Sequence, residues 1–199
     1  MTLPRTFFDR PATEVAPDIL GRVLAHDPVA VRITEVEAYA GESDPASHAY
    51  RGRTARNAVM FGPPGHAYVY RSYGIHNCIN VVCRPEGISE AVLLRAGEVV
   101  DGVEVARKRS RAGARDRDLA RGPGRFTRAL GIDMTHNGLD LCGPDGILRL
   151  LPGTPPDQAA ISTGPRTGIS SAMDIAWRFH VAGDPTVSPY RRHVPRKRS

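Results

Sequence analysis

Apolar and polar positions change their period several times along the chain, and each change marks an element. Val29–Tyr39 (VAVRITEVEAY) alternates and is rich in β-branched residues, which predicts a strand. His66–Cys83 (HAYVYRSYGIHNCINVVC) holds two such runs around Ser72-Tyr73-Gly74, which predicts a hairpin. Glu90–Arg95 (EAVLLR) predicts another strand, and residues 139–153 and 177–183 read as short strands between Gly/Pro turns. Helical spacing occurs at Pro17–Ala25, with proline opening the helix, in residues 101–121, and at Phe126–Ile132. The long segment Gly41–Gly65 (with DPASH, RGRTARN and GPPG) is loop chemistry, and a loop of that length in a compact domain is functional or mobile. Strands with interspersed helices, without regular βαβ alternation, predict an α+β fold: one mixed α/β domain.

Composition narrows this little, and charge narrows it more. The 199 residues, 41% hydrophobic and 24% charged, suit one soluble domain with a sizeable core. Neither a secretory signal nor a membrane-spanning run is visible, so the expected location is cytoplasmic, with no membrane partner. Cys78, Cys83 and Cys142 form no CxxC pair and read as reduced thiols; no metal or cofactor is expected. The net charge of +6 is concentrated: residues 107–128 hold nine basic and two acidic side chains, and Pro189–Ser199 adds five basic ones. The rest of the chain is therefore acidic on balance. That distribution suits a polyanion binder, although a solvated helix face and a loose tail would give the same pattern. The division expected is a domain over 1–188 and a flexible basic tail over 189–199.

Candidate chemistry clusters on the strand and the hairpin. In a regular strand Val29, Val31, Ile33, Glu35, Glu37 and Tyr39 share one face, so two carboxylates continue a face that begins apolar. Each must then be paired, exposed at the strand end, or kept as a base, and a bulge would change the register. Tyr68 and Tyr70 point one way from their strand, whereas Tyr73 lies at the tip, where it can be a wedge between base pairs or an ordinary turn residue. Tyr39 and Tyr70, if they converge, make a stacking pocket for a base; otherwise they are core tyrosines. No Walker loop, GxGxxG or HExxH is present.

The run EVEAYAGESDPASHAYRGRTARNAVMFGPPGHAYVYRSYGIHNCINVV resembles the defining segment of the 3-methyladenine (alkyladenine) DNA glycosylases. The likeness continues through VLLRAGE, GPGRFTRALGI and RTGISSAMDIAWRFHVAGDPTVS, from about Leu20 to Ser188. It implies a single mixed α/β domain with a curved antiparallel sheet and a protruding, DNA-inserting β-hairpin. It also implies roles: Glu37 activates water; Tyr39, His48, Tyr70 and Asn80 form the base pocket, with Asn80 excluding guanine. Tyr73 intercalates, and Arg56, Arg95 and Arg125 contact DNA or its backbone. The substrate implied is double-stranded DNA containing damaged purines, flipped out and hydrolysed by a monomeric enzyme, nucleoid-associated in a bacterium.

The two lysines, Lys108 and Lys197, lie in the basic stretch and the tail, which disfavours Schiff-base chemistry and favours hydrolysis alone. Two other readings compete: a non-catalytic nucleic-acid-binding module with a structural Glu37, and a carbohydrate hydrolase using Glu35 and Glu37. Side chains two apart on one strand diverge too little to flank a sugar, which weighs against the second.

Overall fold

The computed structural model describes residues 1–194. Its nine strands are β1 (Val23–His26), β2 (Val29–Tyr39), β3 (Ala67–Ser72), β4 (His76–Cys83), β5 (Glu90–Asp101), β6 (Ala120–Arg121), β7 (Arg149–Leu151), β8 (Ile161–Gly164) and β9 (Arg178–Val181). All pair antiparallel in one sheet of order β3-β4-β5-β2-β1-β7; β6 adds to β5, and β8 to β9. On the edge of β2 away from β5, β1 pairs with its first half and β9 with its second, at Glu35–Glu37. Helices α1 (Ala12–Ile19), α2 (Val103–Arg109) and α3 (Pro123–Leu130) complete an open mixed α/β architecture.

One face of the sheet carries the main core. Val29, Val31, Ile33, Val36 and Ala38 of β2, Ile79 and Val81 of β4, and Val92 and Leu94 of β5 pack with Val15 and Ile19 of α1 and Phe126 and Leu130 of α3. Burying such a side chain contributes about 1.5–3 kcal/mol. Helix α3 is well punctuated: Pro123 supplies its first turn, and Gly131 (φ 72°) ends it, with Gly131 N–H and Ile132 N–H donating to the carbonyls of Arg128 and Thr127.

The parity of β2 breaks at Thr34. Ile33 pairs with Gly97, Glu35 with Ala96 and Val36 with Leu94. Thr34 is thus an extra residue on β2, and Arg95 an extra residue on β5. Two bulges on adjacent strands offset one another, so pairing resumes beyond them. Before the bulge the odd-numbered residues face the core; after it the even-numbered Val36 and Ala38 do. The regular alternation expected from the sequence therefore fails at this point, and Glu35, Glu37 and Tyr39 turn to the opposite face.

Two helices differ from expectation. Residues 17–25 are not one helix: α1 starts five residues earlier, at Ala12 after Pro11, and tolerates Pro17 in its last turn. Gly21, at φ 78°, then turns the chain into β1. In 101–121 only Val103–Arg109 is α-helical, with Ala106 its one buried residue, and a single 3₁₀ turn follows at Asp116–Asp118. Gly41–Gly65 is folded against the sheet: Ala49, Met60 and Phe61 pack on Tyr68, Val82 and Ala91. Buried Asn57 braces it by donating to the carbonyls of His48 and Gly52.

Gly97 allows the close approach of β2 and β5 at the bulges, since a Cβ there would lie 2.4 Å from the Arg32 carbonyl oxygen. Gly97→Ala is expected to destabilise the protein by about 1–3 kcal/mol through overpacking, measured as a lower urea midpoint. An unchanged midpoint would contradict the register described here.

Candidate active site

The face opposite the helices collects the polar residues. Cross-strand pairing sets Tyr68, Asn80, Leu93, Glu37 and Arg178 in one transverse row over β3, β4, β5, β2 and β9. Beside this row lies a cavity of about 550 Å³. Tyr39, His48, Tyr68, Tyr70 and Asn80 line it, and the segment 167–170 closes one side.

Its aromatic wall is a packed set. Tyr68 and Tyr70 stack at 5.6 Å, and the His48 ring meets Tyr70 edge-on at 4.4 Å. His48 Nδ1 lies 3.0 Å from the Tyr68 hydroxyl. Burial first, and Arg56 second, lower the pKa of His48 and favour neutral imidazole. Burial raises the Tyr68 phenol to about 12 and the Tyr70 phenol further, so both stay protonated at neutral pH. Asn80 Nδ2 donates to the Tyr68 carbonyl at 3.0 Å, which fixes its amide on the pocket floor.

Glu37 has no exposed surface and sits beneath that floor. It accepts from the Tyr39 hydroxyl (2.8 Å) and the Thr167 N–H (2.7 Å), and Arg95 Nη1 lies 3.3 Å away. Burial, and next the Glu37 carboxylate, push the Tyr39 phenol well above its ordinary pKa, so it remains a donor to that carboxylate. Glu35 is held more completely. It accepts from Arg95 (3.1 Å), Arg178 (2.6 Å) and the Ser188 N–H (2.8 Å). Burial raises its pKa, but Arg95, the Ser188 N–H and Arg178 outweigh burial and leave it below the ordinary range. Of the two carboxylates, Glu37 is bonded to three residues that line the cavity, Tyr39, Thr167 and Arg95, whereas Glu35 meets the lining only through Arg95.

Arg95 is itself 6% exposed and committed to both glutamates. Burial opposes its charge, but Glu37 and then Glu35 more than compensate. A guanidinium so placed serves the carboxylates and has little surface to offer a DNA backbone. Arg56 and Arg125 are exposed; Arg56 lines the cavity mouth and Arg125 lies on α3, whose first residue, Pro123, reaches the rim. At the hairpin tip Tyr73 (φ 49°) and Gly74 (φ 69°) both have positive φ, as a mirror-image hairpin turn requires. Tyr73 is 85% exposed, and Ile75 beside it 72%.

Sequence reasoning missed a buried ion pair behind Tyr39. Arg166 donates to both Asp44 oxygens (2.5 and 2.9 Å) and to the Ala38 carbonyl, and its guanidinium lies 4.7 Å from the Tyr39 ring centroid. Asp44 in turn accepts from the N–H groups of Ala40 and Ala46. The pair ties the DPASH segment, the end of β2 and the 166–170 lip together. Tyr68, two residues before Tyr70, was legible from strand period alone; the Arg166 contacts span more than 120 residues and left no local signal.

The basic stretch is partly self-neutralised. Arg107 pairs with Glu104 and Asp116, and Arg115 and Arg121 with Asp118. The tail's first part is held where the Gly168 N–H donates to the Arg191 carbonyl; residues 195–199 of the expected tail lie outside those described.

The sequence that builds this pocket has relatives among known proteins. Residues 6–185 match the family described as methylpurine-DNA glycosylase (MPG). The chain belongs to the methylpurine-DNA glycosylase family. Among its relatives is a protein of Streptomyces avermitilis, 55% identical over 98% of this chain and 95% of its own length. A protein of Frankia casuarinae is 53% identical, covering 92% and 90%, and one of Burkholderia lata 52%, covering 94% and 90%. All three are provisionally named 3-methyladenine DNA glycosylases. As a DNA glycosylase the chain is a hydrolase acting on DNA, and the readings as a binding module or a carbohydrate hydrolase fall away. Among the described residues no helix of the glycosylase is long and apolar enough to cross a membrane.

The depressed pKa of Glu35 makes the stability of the glycosylase depend on pH. Its contribution is fully present above the unfolded carboxyl pKa, about 4.3, and is lost as pH falls through the lower folded value. Glu35→Gln is therefore expected to lower stability at pH 7, with the gap from wild type narrowing below about pH 4 in urea titrations. A gap independent of pH would show that Glu35 is not held ionised.

Proposed function

We propose that the glycosylase extracts an alkylated or deaminated purine from duplex DNA, seats it against Tyr39, His48 and Tyr70, and hydrolyses its N-glycosidic bond with water activated by Glu37. The observation that carries this reading is the placement of Glu37: fully buried, and held by Tyr39, Thr167 and Arg95, three residues that line the aromatic-walled cavity above it. A carboxylate so placed accepts a proton from water, and its charge favours the oxocarbenium character developing on the sugar. General-base catalysis of this type contributes about 10²–10⁴-fold. Purines alkylated at N3 or N7 carry a positive charge and leave readily once water is positioned.

Extrusion costs a few kcal/mol and is cheapest at damaged pairs. Tyr73, with Ile75 beside it, is an exposed apolar tip suited to filling the gap left in the stack. In this reading Asn80, whose amide donates to the Tyr68 carbonyl, crowds the 2-amino group of guanine. Arg56 and Arg125 flank the cavity and suit phosphate contacts, which makes binding salt-sensitive. Arg95 pairs with both glutamates and lines the cavity, and supports the charge of Glu37 there. The enzyme acts as a monomer and, in a bacterium, on nucleoid DNA.

Neither Lys108 on exposed α2 nor any other amine lines the cavity among the described residues, so a Schiff base has no donor there. The test is incubation with duplexes carrying one 3-methyladenine, 7-methylguanine, hypoxanthine or ethenoadenine. Release of the intact base, an abasic strand cut only by added alkali, and no borohydride-trapped adduct are expected. Strand cleavage with a trapped protein–DNA adduct would contradict hydrolysis alone, and no release from any of the four would overturn the function.

A further inference from the structure

Thr167 carries a group that the proposed chemistry has not yet used. Its N–H is committed to Glu37 Oε1 at 2.7 Å, but its side-chain hydroxyl is buried without a hydrogen-bond partner among the described residues. Buried hydroxyls almost always find partners, so an orphan calls for a reason. Six other buried polar side-chain atoms share this condition, on Asn77, Arg84, Ser89, Arg149, Arg166 and His180. Of these residues and Thr167, only Thr167 both lines the cavity and touches Glu37.

Geometry brings the hydroxyl within reach of the reaction. Covalent bonding keeps a threonine oxygen about 3 Å from its own amide nitrogen, and hence within about 6 Å of the carboxylate oxygen that nitrogen binds. One water making two ordinary hydrogen bonds bridges oxygens about 4.5 Å apart, a separation inside that limit. The preceding residue, Arg166, is locked by Asp44 and the Ala38 carbonyl, so Thr167 is held firmly.

We propose that the Thr167 hydroxyl and the Glu37 carboxylate together hold the attacking water once the damaged base is seated. The inference rests on the glycosylase reading above. The water oxygen bonds to C1′ as the C1′–N bond breaks, and the water proton passes to Glu37. A cationic alkylpurine leaves as the neutral base. Thr167 accepts or donates a hydrogen bond throughout and exchanges no electrons.

Thr167→Val keeps the shape and the backbone N–H and removes only the hydroxyl; Thr167→Ser restores it. With enzyme in excess, Thr167→Val is expected to slow single-turnover base release about tenfold, the effect of one lost hydrogen bond to water. Release of 7-methylguanine and hypoxanthine should fall alike, affinity for the lesion duplex should hold, and Thr167→Ser should recover most of the rate. With added methanol, Thr167→Val should also shift the products from the free sugar towards the methyl glycoside, a partition that a merely structural residue would leave alone. Wild-type rate and wild-type partition in Thr167→Val, beside a normally active wild type, would overturn the inference alone. If the wild type itself released no base, the parent reading would fail and take this one with it.

Discussion

Two carboxylates and two guanidiniums buried side by side cost several kcal/mol per ion if any one is left unpaired. In this protein Glu37, Arg95, Glu35 and Arg178 alternate in sign between β2, β5 and β9, and each is closed by a neighbour. The remaining capacity is taken by backbone and hydroxyl partners: the Ser188 N–H and carbonyl, the Thr167 N–H, the Tyr39 hydroxyl. This arrangement determines much else. It requires the paired bulges that rotate the glutamates off the core face, and it requires β9 and Ser188 to return across β2. It also leaves Glu37 as the carboxylate with the more bonds to the cavity wall, through Tyr39, Thr167 and Arg95, where Glu35 has Arg95 alone.

The consequence for chemistry is preorganisation. Glu37 is positioned before any substrate arrives, on a strand and not on a loop, with Arg95 supporting its charge. The base-stacking wall is fixed by separate means. Tyr68, Tyr70 and His48 pack against one another, and the Asp44–Arg166 pair backs Tyr39. Rigid catalytic and stacking parts then meet an exposed tip, Tyr73 and Ile75, whose apolar surface is left uncovered by the described residues.

Much of the frame was legible in the sequence because its elements carry local signals. Val29–Tyr39 and the hairpin are strands by alternation and β-branching, and Tyr73-Gly74 marks the turn between β3 and β4. The start of α1 was misread because Pro17 resembles a helix opener, while Pro11 and the stop at Gly21 define the true limits. The site was legible in part. Glu37 stood out as an acid on an apolar strand, but the reason it leaves the core face was hidden, because the bulge at Thr34 exists only relative to Arg95 on another strand. Arg166 and Thr167 left no trace for the same reason: their partners, Asp44 and Glu37, lie more than 120 residues away. The pairing of Arg95 with both glutamates was likewise hidden, because they stand on another strand about 60 residues earlier.

The central claim is that Glu37 does chemistry and does not merely support the fold. The most direct measurement compares Glu37→Gln with wild type in single-turnover base release and in binding to the same lesion duplex. Loss of release by at least about 10²-fold, with binding close to wild type and the protein still folded at the assay temperature, is the predicted result. Release within a few-fold of wild type, or loss of release and binding together through unfolding, would contradict it.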